Sequence, residues 1–173
     1  RAALEPLLLD CCPDALVYNS GIARDNLLAF MREDEWDSVL HTNLDGFFNV
    51  TKPVIFEMIR KKRGRIVVIS SVSGQLGQAG QVNYSASKAG LIGAARALAR
   101  EVGRKNVLVN VVCPGVIETE MTTELSKEHI LPLIALSRYG TAEEVAAVVD
   151  FLCSEPKMYV HGQVIGVNGG MAT

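Results

Sequence analysis

Arg65–Ser70 reads RIVVIS, a β-branched run with no polar alternation. A strand with one wet face alternates; one that does not is predicted to be buried on both faces, as in a parallel sheet. The pattern returns at Asn106–Val112 (NVLVNVV), stopped by Pro114-Gly115, and in shorter form at Ala15–Tyr18 (ALVY) and Gly162–Val167 (GQVIGV). Helical patterns lie between. From Asp34 to about Lys61 the residues Trp36, Val39, Leu40, Leu44, Phe47, Phe48 and Val50 recur at helical spacing. Pro53 is expected to kink or loosen that helix. A glycine-rich loop with Gly74, Gly77 and Gly80 then leads into a second long helix, Asn83 to about Gly103. Residues 115–140 read as irregular with short helical patches. Thr141 and Glu144 form a capping box that opens a last helix, to about Ser154.

The resulting order is β-α-β-α-β-(loop)-α-β. Strands alternating with long helices predict an α/β fold: a Rossmann-like, doubly wound parallel sheet with helices on both faces and right-handed crossovers. Such sheets bind ligands beyond the carboxyl ends of their strands. The residues to inspect are therefore Asn19-Ser20-Gly21, Ser70-Ser71, Pro114-Gly115 and Asn168-Gly169.

The bulk properties narrow the function classes. A chain of 173 residues fits one domain. With 49% hydrophobic residues and a net charge of −2, the chain is not disordered. That charge gives no electrostatic case for a nucleic-acid or anionic-membrane partner. The longest apolar runs are too short to span a bilayer, and no secretory leader pattern follows Arg1. The cysteines are Cys11, Cys12, Cys113 and Cys153; none forms C-x-x-C, and no histidine stands beside them at ligand spacing, so no metal is expected. Cys11 and Cys12 read as two packed thiols, and a reducing cytoplasm is the natural setting. Mean hydropathy of +0.21 fits strands buried on both faces or a surface covered by a partner. The basic turn from Arg60 to Arg65 reads as a solvated loop, and His41 as a surface residue.

The strongest chemical signal is Tyr84-Ser-Ala-Ser-Lys88 at the start of the second long helix. Residues i and i+4 share a helical face. An ammonium near a phenol favours the phenolate and lowers its pKa, which makes the tyrosine a usable acid/base near neutral pH. By itself Y-x-x-x-K is weak, because a solvated helical pair looks the same. Context strengthens it. Ser71 follows a buried strand and offers a hydroxyl to a substrate carbonyl. Asn43 sits inside the preceding helix, either satisfying the backbone at an irregularity or holding a water. The Pro114-Gly115-x-x-x-Thr119 stretch turns sharply and offers amides to a ligand.

Together these residues resemble the short-chain dehydrogenase/reductase family. Asn19-Ser20-Gly21, Asn43, Ser70-Ser71, Tyr84-x-x-x-Lys88, NVVCPG (residues 110–115) and Asn168-Gly169-Gly170 stand in the family's order and spacing. GIARDNLL (21–28), GQVNYSASKAGLIG (80–93), GVIETEM (115–121) and VNGGM (167–171) resemble its 3-oxoacyl-(acyl-carrier-protein) reductases. The resemblance implies reduction of a carrier-bound 3-oxoacyl thioester by NADPH in fatty-acid or related biosynthesis, with NAD not excluded. It makes Tyr84 the proton donor and Ser71 the carbonyl-orienting group. Lys88 would lower the Tyr84 pKa and bind the nicotinamide ribose, and Asn43 would hold a relay water. Asn19, Ser20, Gly21, Pro114, Gly115, Ile117 and Thr119 would contact the cofactor alongside Tyr84 and Lys88. A cytoplasmic homotetramer is implied, pairing through the two long helices and through the last helix and strand.

Three features depart from the family pattern. Tyr18 stands where the family has an asparagine, and reads as a repacked strand end. No glycine-rich pyrophosphate turn is found; Gly74-x-x-Gly77-x-x-Gly80 comes too late. Residues 1–12 resemble the end of the helix before the family's fourth strand, so the 173 residues read as the C-terminal two-thirds of one domain. The alternatives are a truncated, non-catalytic paralogue acting as subunit or scaffold, and a reductase of another carbonyl substrate such as acetoacetyl-CoA. The apolar segment Thr119–Arg138 would form the substrate lid, with Lys127 exposed on it. Tyr84-x-x-x-Lys88 is closer than the spacing of the family's enoyl reductases, which disfavours double-bond reduction.

Overall fold

The computed structural model describes residues 13–119, 122, 127–154 and 158–172. Within them the β-branched runs become four parallel strands, β1 (Ala15–Tyr18), β2 (Gly64–Ile69), β3 (Val107–Pro114) and β4 (Val164–Val167), adjacent in that order. The register sets Tyr18 beside Val68, Ile69 beside Val112 and Pro114 beside Val167. All four carboxyl ends therefore open on one edge. This is the α/β, Rossmann-like arrangement the pattern predicted.

Successive side chains of a strand point to opposite faces, and along β2 and β3 both faces are dry. Ile66 and Val68 of β2 pack with Val109, Val111 and Cys113 of β3. Helices α2 (Gly46–Lys61) and α4 (Val82–Val102) cover that face, through Val54, Met58, Leu91 and Ala95 among others. The alternate residues Val67, Ile69 and Val112 pack under Leu152 of α6 (Ala142–Ser154) on the other face. The remaining helices are short: α1 (Glu33–Leu40), α3 (Val72–Leu76) and α5 (Lys127–Ile130).

Two local expectations need correction. The helix does not loosen at Pro53, which lies inside an unbroken α2. Proline leaves the carbonyl four residues earlier without its donor, but that residue, Asn49, is exposed, so water can serve it. The irregularity comes earlier, as a π-turn at His41–Asp45 joining α1 to α2. The stretch expected to be a glycine-rich loop begins as α3. Ser71 caps it, its hydroxyl accepting the Ser73 N–H at 3.1 Å. Gly74 lets α3 lie against α4, since a Cβ there would come within 2.8 Å of the Lys88 backbone.

His41 is exposed and paired with Asp45 at 2.8 Å. Of the basic turn, residues 60–63 are exposed, with Arg63 on Asp14 and Arg60 on Glu57, whereas Gly64 and Arg65 begin β2, Gly64 buried and Arg65 half-buried. Cys113 and Cys153 are free thiols, while Cys11 and Cys12 lie outside the described residues. Among the described residues no helix is long and apolar enough to cross a membrane, and no cluster of three or more His, Cys, Asp or Glu could hold a metal.

The capping box at α6 forms as predicted. The Thr141 hydroxyl accepts the Glu144 N–H at 3.3 Å, and the Glu144 carboxylate accepts the Thr141 N–H at 2.9 Å. Thr141→Ala is expected to cost about 1 kcal/mol, a typical value for a lost N-cap. Urea titration of the two proteins checks this; equal midpoints would show that the cap contributes nothing.

Candidate active site

The site grows from the first turns of α4. Asn83 is fully buried. Its Oδ1 accepts the Tyr84 N–H at 2.7 Å, and its Nδ2 donates to the carbonyls of Arg24 and Glu35 at 3.0 and 3.1 Å. One side chain thus ties the helix start to the segment after β1 and to α1. Gln81 adds a second tie, donating to Asp25 at 2.7 Å and accepting from Ser73 at 3.1 Å.

One turn separates Tyr84 from Lys88. Tyr84 is half-buried, and its hydroxyl meets that of Ser71 at the end of β2. Burial pushes the Tyr84 phenol above its ordinary pKa; the Ser71 hydrogen bond draws it back, and the Asp25 carboxylate adds to the rise. Lys88 is only 3% exposed. Its Nζ donates to the Ile69 carbonyl at 2.9 Å and lies 5.6 Å from the centroid of the Tyr84 ring. Burial lowers the ammonium to about 8, opposed by the neighbouring Cys113. The lowering of the Tyr84 pKa implied by the resemblance is thus outweighed in this structure. The ammonium donates to Ile69 and lies over the ring, and burial of the phenol is the larger effect.

Asn43 is fully buried on the π-turn. Its Oδ1 accepts the Ile22 N–H at 2.8 Å, and its Nδ2 donates to the Ile22 carbonyl and the Ser87 hydroxyl, both at 3.0 Å. Ser87 in turn donates to the Tyr84 carbonyl at 2.7 Å. The Asn43 side chain therefore braces the backbone, one of the two readings the sequence left open. A Cβ on Gly21 would stand 3.2 Å from Lys88 Nζ and 3.3 Å from Asn43 Oδ1. The structure thus brings Asn43, Ser71, Tyr84 and Lys88 together beyond β1 and β2, with exposed Asn19, Ser20 and Gly21 along the rim.

Pro114, Gly115, Ile117 and Thr119 leave the end of β3. Gly115 donates to the Val167 carbonyl at 3.0 Å and is pressed so closely on Asn168 that a Cβ would meet its Cα at 2.7 Å. Ile117 bridges to Gly140, and the Thr119 N–H donates to the Thr122 hydroxyl at 3.0 Å. The amides of Gly115 and Thr119, expected to face a ligand, instead brace the start of the segment after β3, because the chain doubles back there against β4 and Gly140. Of the Thr119–Arg138 segment, expected to form a lid, residues 120, 121 and 123–126 lie outside the described residues. Lys127 is exposed, with its Nζ 5.5 Å from the centroid of the Tyr139 ring.

Sequence reading missed Asn83, Ser87 and Gln81 as site-building residues. An asparagine opening a helix signals a local cap, which would have pointed to Asn83. Ser87 had no signal, since its partner Asn43 lies 44 residues away.

A family model described as enoyl-(acyl carrier protein) reductase matches residues 12–172. The chain is 49% identical over 161 residues to the 3-oxoacyl-(acyl-carrier-protein) reductase FabG of Salmonella typhimurium, covering 91% of this chain and 66% of that protein. Its identity to the protein of the same name from Thermotoga maritima is 50%, covering 91% and 65%. For the one from Pseudomonas aeruginosa it is 51%, covering 92% and 66%. The chain thus spans just under two thirds of the length of these curated relatives. A parallel sheet with a Tyr84–Lys88 pair at its carboxyl edge, a family match over nearly the whole chain and about half-identical relatives lead to one conclusion: the chain belongs to the short-chain dehydrogenase/reductase family.

Proposed function

We propose that this chain carries the catalytic part of an NADPH-dependent reductase that converts a 3-oxoacyl thioester on acyl-carrier protein to the 3-hydroxyacyl thioester. The observation that carries this reading is the Ser71–Tyr84 hydroxyl pair beside buried Lys88. Ser71 donates to the C3 carbonyl oxygen and holds it against Tyr84. Tyr84, kept protonated by burial, gives its proton to that oxygen as C3 is reduced. Lys88 is the nearby cation that stabilises the phenolate left behind, and Asn43 fixes the floor on which these groups stand.

A nicotinamide cofactor bound at this edge would supply the hydride. The residues present fit its nicotinamide-ribose half. Gly21 leaves backbone open above Lys88, whose ammonium is the donor for ribose hydroxyls. Asn19, Ser20, Gly21, Pro114, Gly115, Ile117 and Thr119 are the further cofactor contacts that the family resemblance implies. We read residues 1–173 as the C-terminal two-thirds of a single domain, its pyrophosphate-binding β-α units not being among them. The free thiols Cys113 and Cys153 support a reducing cytoplasm.

Assembly is read as a homotetramer. Phe48 and Phe56 on α2 are 54% and 68% exposed, and Leu44, Ile55, Ala94 and Leu98 line an apolar groove between α2 and α4. Phe151 on α6 is 49% exposed. Each face suits isologous pairing about a two-fold axis. The test of function is NADPH oxidation with a 3-oxoacyl thioester on acyl-carrier protein, with acetoacetyl-CoA and NADH in parallel. Turnover fastest with the carrier-bound substrate and NADPH is expected. Cofactor binding without turnover of either substrate would instead support a non-catalytic subunit.

A further inference from the structure

We propose that Tyr18 is a positioning residue of the Tyr84–Lys88 site, acting through the π-turn that carries Asn43. Its effect on turnover rests on the reductase reading above; its effect on geometry does not.

A π-turn is rare and persists only where its surroundings satisfy it. Here Tyr18, the last residue of β1, reaches across to it. The Tyr18 hydroxyl donates to the carbonyls of Thr42 at 2.9 Å and Asn43 at 3.1 Å. The ring packs edge-on to Phe47 at 5.5 Å, and the residue is 3% exposed. Burial raises the phenol's pKa, so the hydroxyl keeps its proton and remains a donor.

Gly46 makes room for that hydroxyl. A Cβ at residue 46 would stand 2.6 Å from the Tyr18 oxygen, inside contact distance. Tyr18 and Gly46 are therefore a matched pair, a bulky donor opposite a missing side chain. Downstream, the turn aims Asn43 at Ile22 and Ser87, and Ser87 holds the Tyr84 carbonyl. A hydroxyl that never touches substrate thereby sets the rim beside Lys88 and the first turn of α4.

The matched pair supplies its own test. A serine at residue 46 of a helix can donate to the carbonyl four residues earlier, which is Thr42, one of the two carbonyls Tyr18 serves. Gly46→Ser should therefore harm the parent protein and rescue Tyr18→Phe. Two readouts are followed in the parent, both single variants and the double variant. The first is hydrogen exchange at the Ile22 amide, which follows the exposed residues 19–21 and owes its protection to Asn43. It is expected to quicken about five- to tenfold in Tyr18→Phe, the loss of one net hydrogen bond, and to return toward the parent rate in the double variant. The second is NADPH-dependent turnover, where kcat is expected to fall about tenfold or more at unchanged thioester KM, as for a misplaced catalytic group, and to recover likewise.

Ile22 exchange unchanged in Tyr18→Phe, or Gly46→Ser equally harmful in both backgrounds, would overturn the proposal. A parent protein without turnover sinks the reductase reading alone, since Ile22 exchange still decides the role of Tyr18.

Discussion

Tyr84→Phe is expected to lower kcat for thioester reduction by about two to four orders of magnitude, the range that a positioned acid contributes. Cofactor affinity and thermal midpoint should hardly move. The substitution deletes one oxygen and keeps the ring, so the face lying 5.6 Å from Lys88 Nζ is preserved. What disappears is the hydroxyl beside Ser71, the proposed proton source. Burial already holds the phenol above its ordinary pKa, so at neutral pH the parent protein has it in the protonated, donating form. Steady-state kinetics with a cofactor-binding titration check the prediction. Turnover within tenfold of the parent would remove Tyr84 as the acid, and a parallel collapse of cofactor binding would make it a binding residue instead.

Lys88→Met is expected to abolish turnover and yet stabilise the fold. The Lys88 ammonium is buried, and its pKa falls from an ordinary 10.5 to about 8. Below pH 8 the folded protein carries a buried charge, and that cost is fully present. Between pH 8 and 10.5 the folded protein releases the proton while the unfolded chain keeps it, so this group makes stability rise with pH. The penalty at neutral pH is about 3 kcal/mol, at 1.36 kcal/mol per tenfold change in the proton equilibrium. Methionine keeps the length and loses the charge. It also loses the bond to the Ile69 carbonyl, at about 1 kcal/mol. A net gain of about 2 kcal/mol at pH 7 is expected, fading as pH approaches 10.5. Urea titrations at the two pH values decide it; a variant less stable than the parent at pH 7 would contradict the buried-charge account. The expected pattern, function kept at a cost in stability, is common at active sites.

The strands were legible because a β-branched run buried on both faces looks the same wherever it occurs, and the structure changes only their ends. The α6 capping box was legible because both partners lie within one turn of chain. Pro53 misled because whether a proline breaks a helix depends on what serves the freed carbonyl, and that depends on exposure. The stretch after Ser71 misled because glycines that signal a loop can also mark a close crossing of helices, as Gly74 does against α4.

The same division runs through the site. Sequence by itself determined the fold class, the α4 placement of Tyr84 and Lys88, and the edge of the sheet on which they lie, because these depend on periodicity and on spacings of a few residues. The tertiary structure alone decided the protonation balance and the fine positions. It gave Lys88 to the Ile69 carbonyl, seated the Tyr18 hydroxyl over the gap at Gly46, and joined Asn43 to Ser87 across 44 residues. Burial, desolvation and long-range hydrogen bonds are set by which distant groups meet, and no local pattern of residues carries that information.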